Sequence, residues 1–182
     1  MINNRPWVAF FSHTGSEIAN ISKKLGTVPD IIVTNNKDAK NISKHVTNYK
    51  KSSTKPTPEE YSELIEYDDP IVTLHGWMRI IPKSVCAKFE IYNLHPGLIT
   101  DYPELKGKDP QQRVFEMLNY PQHVGCVIHR VIPEVDSGEV LMTRKTFNSY
   151  PSVNMLNDVL HSMASDMWID FFEQEVYNKS DD

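Results

Sequence analysis

The stretch Trp7-Val8-Ala9-Phe10-Phe11, followed by Ser12-His13-Thr14-Gly15-Ser16 and then by Ile18, Ile21 and Leu25, decides the fold. Five apolar residues in an unbroken run are far too few for a membrane span or a signal peptide. They suit a strand covered on both faces. The small polar residues after them make a tight turn. The three- and four-residue spacing of Ile18, Ile21 and Leu25 predicts a helix with one buried face, which Gly26 and Pro29 bring to an end. Strand, turn and helix in that order form the opening unit of a parallel α/β sheet.

The same alternation continues outward. Residues 31–33, 71–74 and 91–94 read as three more short apolar strands. Residues 37–49 read as a polar helix, and 50–58 (Lys-Lys-Ser-Ser-Thr-Lys-Pro-Thr-Pro) as a surface loop. A helix is predicted over 58–66, capped by Thr57. A short one is expected from Pro82 to Cys86, and another over 109–118 with Pro110 in its first turn. Residues 100–108 read as a loop. Two strands, 124–132 and 140–147, flank the turn Pro133-Glu134-Val135-Asp136-Ser137-Gly138. A long helix over 152–176 carries Val153, Leu156, Val159, Leu160, Met163, Met167 and Phe171 on one side. The expected architecture is a Rossmann-like α/β domain. Its central sheet is mostly parallel with antiparallel strands near the C-terminal end, and helices cover both faces.

Composition bounds the function. The 182 residues are 40% hydrophobic and 24% charged, an ordinary globular balance that argues against disorder. They are expected to form a single catalytic domain spanning 1–182. Nineteen Lys and Arg against 24 Asp and Glu give a net charge of -5, which argues against a general nucleic-acid binder. It leaves room for a small anionic ligand held by one local site. No segment approaches the 18 or so apolar residues of a membrane span, so a cytoplasmic protein without a membrane partner is expected. Cys86 and Cys126 read as reduced, buried small hydrophobes, and the His and Cys spacings give no metal site.

In an open α/β sheet, ligands bind beyond the carboxyl ends of the strands, and three such places carry unusual residues. Thr14, Gly15, Ser16 and Glu17 lie where a helix N-terminus would offer backbone N–H groups to one phosphate. The same residues would also make a plain helix cap. Asn93 and His95 are two apart, so on a strand they share a face. An amide can donate to a developing oxyanion and an imidazole can move a proton near neutral pH. Asp136 sits in a turn, where an Asp ordinarily bonds its own backbone. Alternatively it reaches His95 and orients the ring, a contact that only the fold can make. His129, in an apolar strand, reads as a hydrogen-bonded core residue. His13 borders the first turn and could assist it, while His45, His75, His123 and His161 read as structural or surface residues.

Taken in order, these pieces resemble the folate-dependent formyltransferase family, and most of all its purine-pathway branch, which acts on glycinamide ribonucleotide. Phe11-Ser12-His13-Thr14-Gly15-Ser16 resembles that family's phosphate-holding first turn. Gly76-Trp77-Met78-Arg79-Ile80-Ile81 resembles the segment lining its folate pocket, and Asn93-Leu94-His95-Pro96 its catalytic motif. Gly125-Cys126-Val127-Ile128-His129 with Val135-Asp136-Ser137-Gly138 resembles its last sheet region and catalytic Asp loop. The resemblance implies formyl transfer from 10-formyltetrahydrofolate to the primary amine of a small phosphorylated acceptor, without metal. Asn93, His95 and Asp136 would be catalytic. Met78, Arg79, Ile80, Ile81, Pro133, Glu134 and Val135 would hold the folate, largely by backbone groups, and Thr14, Gly15, Ser16 and Glu17 the acceptor phosphate. Family members are monomers or homodimers.

Several positions depart from the family pattern. Glu17 stands where Asn is frequent, Gly97 where Ser is usual, and Met163 aligns with the Glu that recognises the acceptor from the C-terminal helix. Lys106 and Lys108 occupy a changed loop, where they would meet an acceptor phosphate or simply be solvated. A different amino-nucleotide or amino-sugar acceptor, hydrolysis of the formyl donor, and a catalytically silent folate-binding module are the alternatives. The start directly at the first strand and the acidic end at Asp181-Asp182 favour a stand-alone transferase.

Overall fold

A computed structural model describes Ile2 and residues 4–177, with side chains as far as Gln174. The acidic pair Asp181-Asp182 lies outside the described residues. The strands are β1 (Trp7–Phe11), β2 (Ile31–Thr34), β3 (Lys50–Lys51), β4 (Ile71–His75), β5 (Ile91–His95), β6 (His123–Arg130) and β7 (Val140–Phe147). The helices are α1 (Ser16–Leu25), α2 (Pro58–Ile65), α3 (Lys83–Lys88), α4 (Pro110–Glu116) and α5 (Val153–Tyr177). They surround one seven-stranded sheet of order β3-β2-β1-β4-β5-β6-β7. β1 to β5 are parallel, and β6 and β7 are antiparallel additions beyond β5.

Alternation along β1 divides the core in two. Trp7, Ala9 and Phe11 join α1 and α5 on one face, with Ile18, Ile21, Leu160 and Trp168. Val8 and Phe10 face α2 and α3 on the other, with Tyr61, Ile65 and Val85. All five residues of β1 are buried, as an unbroken apolar run requires for a central strand. The predicted cap of α2 is present: Thr57 Oγ1 accepts from Glu60 N at 3.2 Å. Among the described residues no helix is long and apolar enough to cross a membrane.

Two expectations fail on the same side of the sheet. Residues 37–49 form no α-helix; only a 3-10 turn at Ala39–Asn41 appears, capped by Asp38. The stretch has too little apolar periodicity to pack a helical face, and side chains such as Asp38 bond their own backbone instead. Lys50 and Lys51, read as loop, add a two-residue edge strand on β2. Short, lysine-bearing edges are a common way to close a sheet against further pairing.

Candidate active site

The carboxyl ends of β1, β4 and β5 open into one cavity of about 610 Å³. The turn after β1 forms one wall. Gly15 caps α1 with φ of 69°, a left-handed conformation. A Cβ there would come within 3.1 to 3.2 Å of Val46 and the Phe11 ring, so glycine satisfies both backbone and space. Thr14 Oγ1 accepts from Ser16 N at 3.2 Å and bonds its hydroxyl at 3.0 Å, which fixes the turn.

Asn93 and His95 both line the cavity, on one face of β5 as their spacing predicts. Antiparallel pairing sets Asn93 opposite His129 on β6, and directly opposed residues share a face. Asn93 Nδ2 lies 3.2 Å from His129 Nε2. His129 Nδ1 donates to Arg130 O at 3.0 Å. Asp136, at φ of 47°, is delivered by the turn between β6 and β7. Its Oδ2 is 3.2 Å from His95 Nδ1 and accepts from Gly107 N at 2.8 Å. Its Oδ1 is 3.3 Å from His129 Nε2. One carboxylate therefore ties together both histidines and, through His129, the Asn93 amide.

His95 Nε2 donates to Leu105 O at 2.8 Å. Both ring nitrogens thus face acceptors, an arrangement matched to the protonated ring. Burial opposes that charge and is the larger influence. It holds the imidazole below its ordinary value, although Asp136 and the Leu105 carbonyl pull the other way. An imidazolium formed here is a ready proton donor. Burial pushes the Asp136 carboxyl up, but the His129 hydrogen bond, the His95 charge and the Gly107 N–H outweigh it and leave it below its ordinary value. Gly97 packs beside the ring; a Cβ there would lie 3.1 Å from His95 Nε2.

The remaining wall is apolar. Met78, Ile80 and Val135 line the cavity while 44%, 68% and 48% exposed, a surface suited to a flat ring system. Arg79 also lines it, but its guanidinium bonds Thr54 O at 2.5 Å and Met78 O at 2.7 Å, so it shapes the segment. Ile81 and Pro133 line the cavity, whereas Glu134 is exposed and outside the lining. Lys106 reaches Ser137 Oγ at 3.0 Å and Lys108 sits 3.8 Å from Asp109.

Three residues with blander readings belong to this cavity. His129 is buried, as expected of a core residue, but its partners are Asn93 and Asp136. The only way to find it in the sequence was to pair β5 with β6 in register. His75 ends β4, where ligand-facing residues gather, and its Nδ1 bonds Glu17 Oε1 at 2.7 Å. His161 lines the cavity from α5. Glu17, grouped with the phosphate turn, has its carboxylate directed to His75 and to Trp168 Nε1 at 3.0 Å. Its side chain is therefore not turned toward a phosphate.

Comparisons agree with this architecture. The phosphoribosylglycinamide formyltransferase of Dictyostelium discoideum is 37% identical over 95 residues, 47% of this chain and 42% of that protein. That of Saccharomyces cerevisiae is 30% identical over 91 residues, 45% of this chain and 40% of that protein. The match therefore spans about two-fifths of the length of these curated relatives. The solved phosphoribosylglycinamide formyltransferase of Anaplasma phagocytophilum superposes with a TM-score of 0.79 at 20% identity, over 97% of this chain and 89% of that one. That of Campylobacter jejuni gives 0.77 at 22%, over 95% and 97%. At such identities these two structures speak for the fold. The sequence model of the formyl transferase family matches residues 11–161, a span that holds the first turn, the β5 motif and the Asp136 loop, and the chain belongs to that family.

Proposed function

We propose that this chain, as one catalytic domain, transfers the formyl group of 10-formyltetrahydrofolate to the primary amine of a small phosphorylated acceptor. The acceptor is glycinamide ribonucleotide, the compound carried in the names of its curated relatives. The observation that carries the reading is the Asn93–His129–Asp136–His95 cluster beside an exposed apolar wall in one cavity.

The chemistry follows from those groups. The acceptor amine attacks the formyl carbon, a C–N bond forms, and the carbonyl oxygen becomes an oxyanion. An Asn93 amide hydrogen donates to that oxygen, and the His95 imidazolium supplies the second donor. To do so, His95 Nε2 must exchange the Leu105 carbonyl for substrate. Collapse of the intermediate breaks the bond to the folate nitrogen. That nitrogen gains a proton while the amine loses one, and His95, backed by Asp136, carries it. Met78, Ile80, Ile81, Pro133 and Val135 would seat the folate ring. The turn at Thr14, Gly15 and Ser16 would receive the acceptor phosphate.

The test is an assay of tetrahydrofolate release with and without glycinamide ribonucleotide. Release that depends on the acceptor supports the proposal. Release without any acceptor would make the chain a hydrolase. Tight folate binding with no turnover on any phosphorylated amine would make it a binding module.

A further inference from the structure

Glu17 ends a hydrogen-bonded chain that runs through the core. Trp7 Nε1 donates to Thr73 Oγ1 at 2.8 Å. Thr73 Oγ1 lies 2.8 Å from His75 Nε2, and His75 Nδ1 lies 2.7 Å from Glu17 Oε1. Thr73 and His75 are two apart on β4 and share the face covered by α1 and α5. His75 Nδ1–H donates to the Glu17 carboxylate, and the Thr73 hydroxyl bonds Nε2 on the other side of the ring. Trp168 Nε1 donates to the same oxygen at 3.0 Å. Burial pushes the Glu17 carboxyl up, but the His75 hydrogen bond and charge, the His161 charge and the Trp168 N–H outweigh it and leave it below its ordinary value. It is therefore an ionised, fixed carboxylate in the cavity lining.

Both bonds to the carboxylate, from His75 and Trp168, fall on Oε1. Among the described residues Oε2 takes no hydrogen-bond partner, although the side chain is only 17% exposed. Two side chains thus hold the carboxylate by one oxygen, with Thr73 and Trp7 fixing His75 from behind, and the second oxygen remains available. That oxygen is an acceptor, and it cannot bind a phosphate, which would repel it.

We infer that Glu17 recognises the acceptor substrate by taking hydrogen bonds from its sugar hydroxyls. The carboxylate adjoins the first turn of α1, where Gly15 and Ser16 favour an anion. A ligand that fits both neighbours carries a phosphate and hydroxyl donors on one small frame, which describes a sugar phosphate. A protonated amine is the poorer fit, since the reacting amine must be neutral and must lie at Asn93 and His95. The inference rests on the proposed function only for the presence of a phosphorylated acceptor.

The test reads binding, so that it stands apart from turnover. Ribose 5-phosphate and its 2-deoxy and 3-deoxy forms are titrated calorimetrically into the whole chain and into Glu17→Gln. The Gln carbonyl can still accept from His75 and Trp168, so the substitution leaves the internal bonds in place and turns the free atom from acceptor to donor. Wild type should bind ribose 5-phosphate about 10- to 100-fold more tightly than at least one deoxy form. Glu17→Gln should bind all three equally weakly while still unfolding in one cooperative transition. Equal affinity of both proteins for ribose 5-phosphate, indifference of wild type to both hydroxyls, or no binding to wild type would overturn the inference. Should the variant fail to fold, the wild-type comparison of the three sugars decides alone. Acceptor-dependent formyl transfer with no effect at Glu17 would leave the proposed function standing. Sugar-phosphate binding without turnover would do the reverse.

Discussion

The cavity holds two carboxylate–histidine pairs built in opposite ways. Glu17 and His75 come from the first turn of α1 and the end of β4, and their hydrogen bonds run inward to Thr73 and Trp7. Asp136 and His95 come from a turn and a strand end, and their bonds run outward to the loop at Leu105 and Gly107. The first pair has partners that cannot leave without opening the core. The second has backbone partners on a loop that can exchange them for substrate. A similar motif of residues serves as a fixture in one place and as movable chemistry in the other.

Substitutions at the two histidines should separate these roles. His95→Ala is expected to lower kcat by about 10²- to 10⁴-fold while the melting temperature stays close to wild type. Turnover within threefold of wild type would sink the assignment of His95. His75→Ala should do the opposite to stability. It leaves Glu17 and Thr73 each one buried partner short, with only the two tryptophan N–H groups remaining, at a cost of about 2 to 3 kcal/mol, readable in a urea unfolding curve. If His75→Ala were as stable as wild type, the two pairs would be alike after all.

Smaller effects sharpen the contrast. His129→Ala should reduce kcat by about 10-fold or more, because Asn93 and Asp136 lose their shared partner. Its effect on the KM of the folate donor should be slight, which distinguishes a positioning residue from a binding one. Acid should weaken the whole fold. Glu17 and Asp136 hold protons less tightly in the folded chain than in the unfolded one. The stability they contribute is present above the ordinary carboxylate range and is lost as pH falls through their lowered values. His95 has the same sign: its lowered value makes the folded state bind fewer protons below the ordinary 6.5, so stability falls on acidification there too. Melting temperature should therefore drop first on mild acidification, through His95, and again below the ordinary carboxylate range, the second drop being smaller in Glu17→Gln. The smallest change is Trp168→Phe, which removes one N–H from Glu17. It should destabilise by about 1 kcal/mol and leave kcat unchanged.

The parallel half of the fold was legible because its strands are short unbroken apolar runs between helix-spaced segments. β1 and α1 lie where those patterns put them. Asn93 and His95 were legible too, since a period of two needs no tertiary information. The edge at Lys50–Lys51 was not, because two polar residues carry no strand pattern and pair only because β2 leaves backbone groups to satisfy. His129 and His75 escaped for a different reason. The apolar strand around His129 speaks for the core and His75 reads only as structural or surface, while their working partners, Asp136 and Glu17, are brought from elsewhere by the sheet order. Glu17 was grouped with the turn beside it, although its side chain belongs to the strand behind it.

The antiparallel seam between β5 and β6 also governs which lengths of chain are permissible. Asn93 faces His129 only because residue 93 is paired with residue 129. A residue inserted at 118–120 lies in an exposed bend between α4 and β6 and can be absorbed there. One inserted within β6 ahead of His129 would reverse the parity of the residues before it or of those after it. The imidazole would then turn away from Asn93, or the strand would buckle. The chain can thus be lengthened at that bend, while β6 must keep its count.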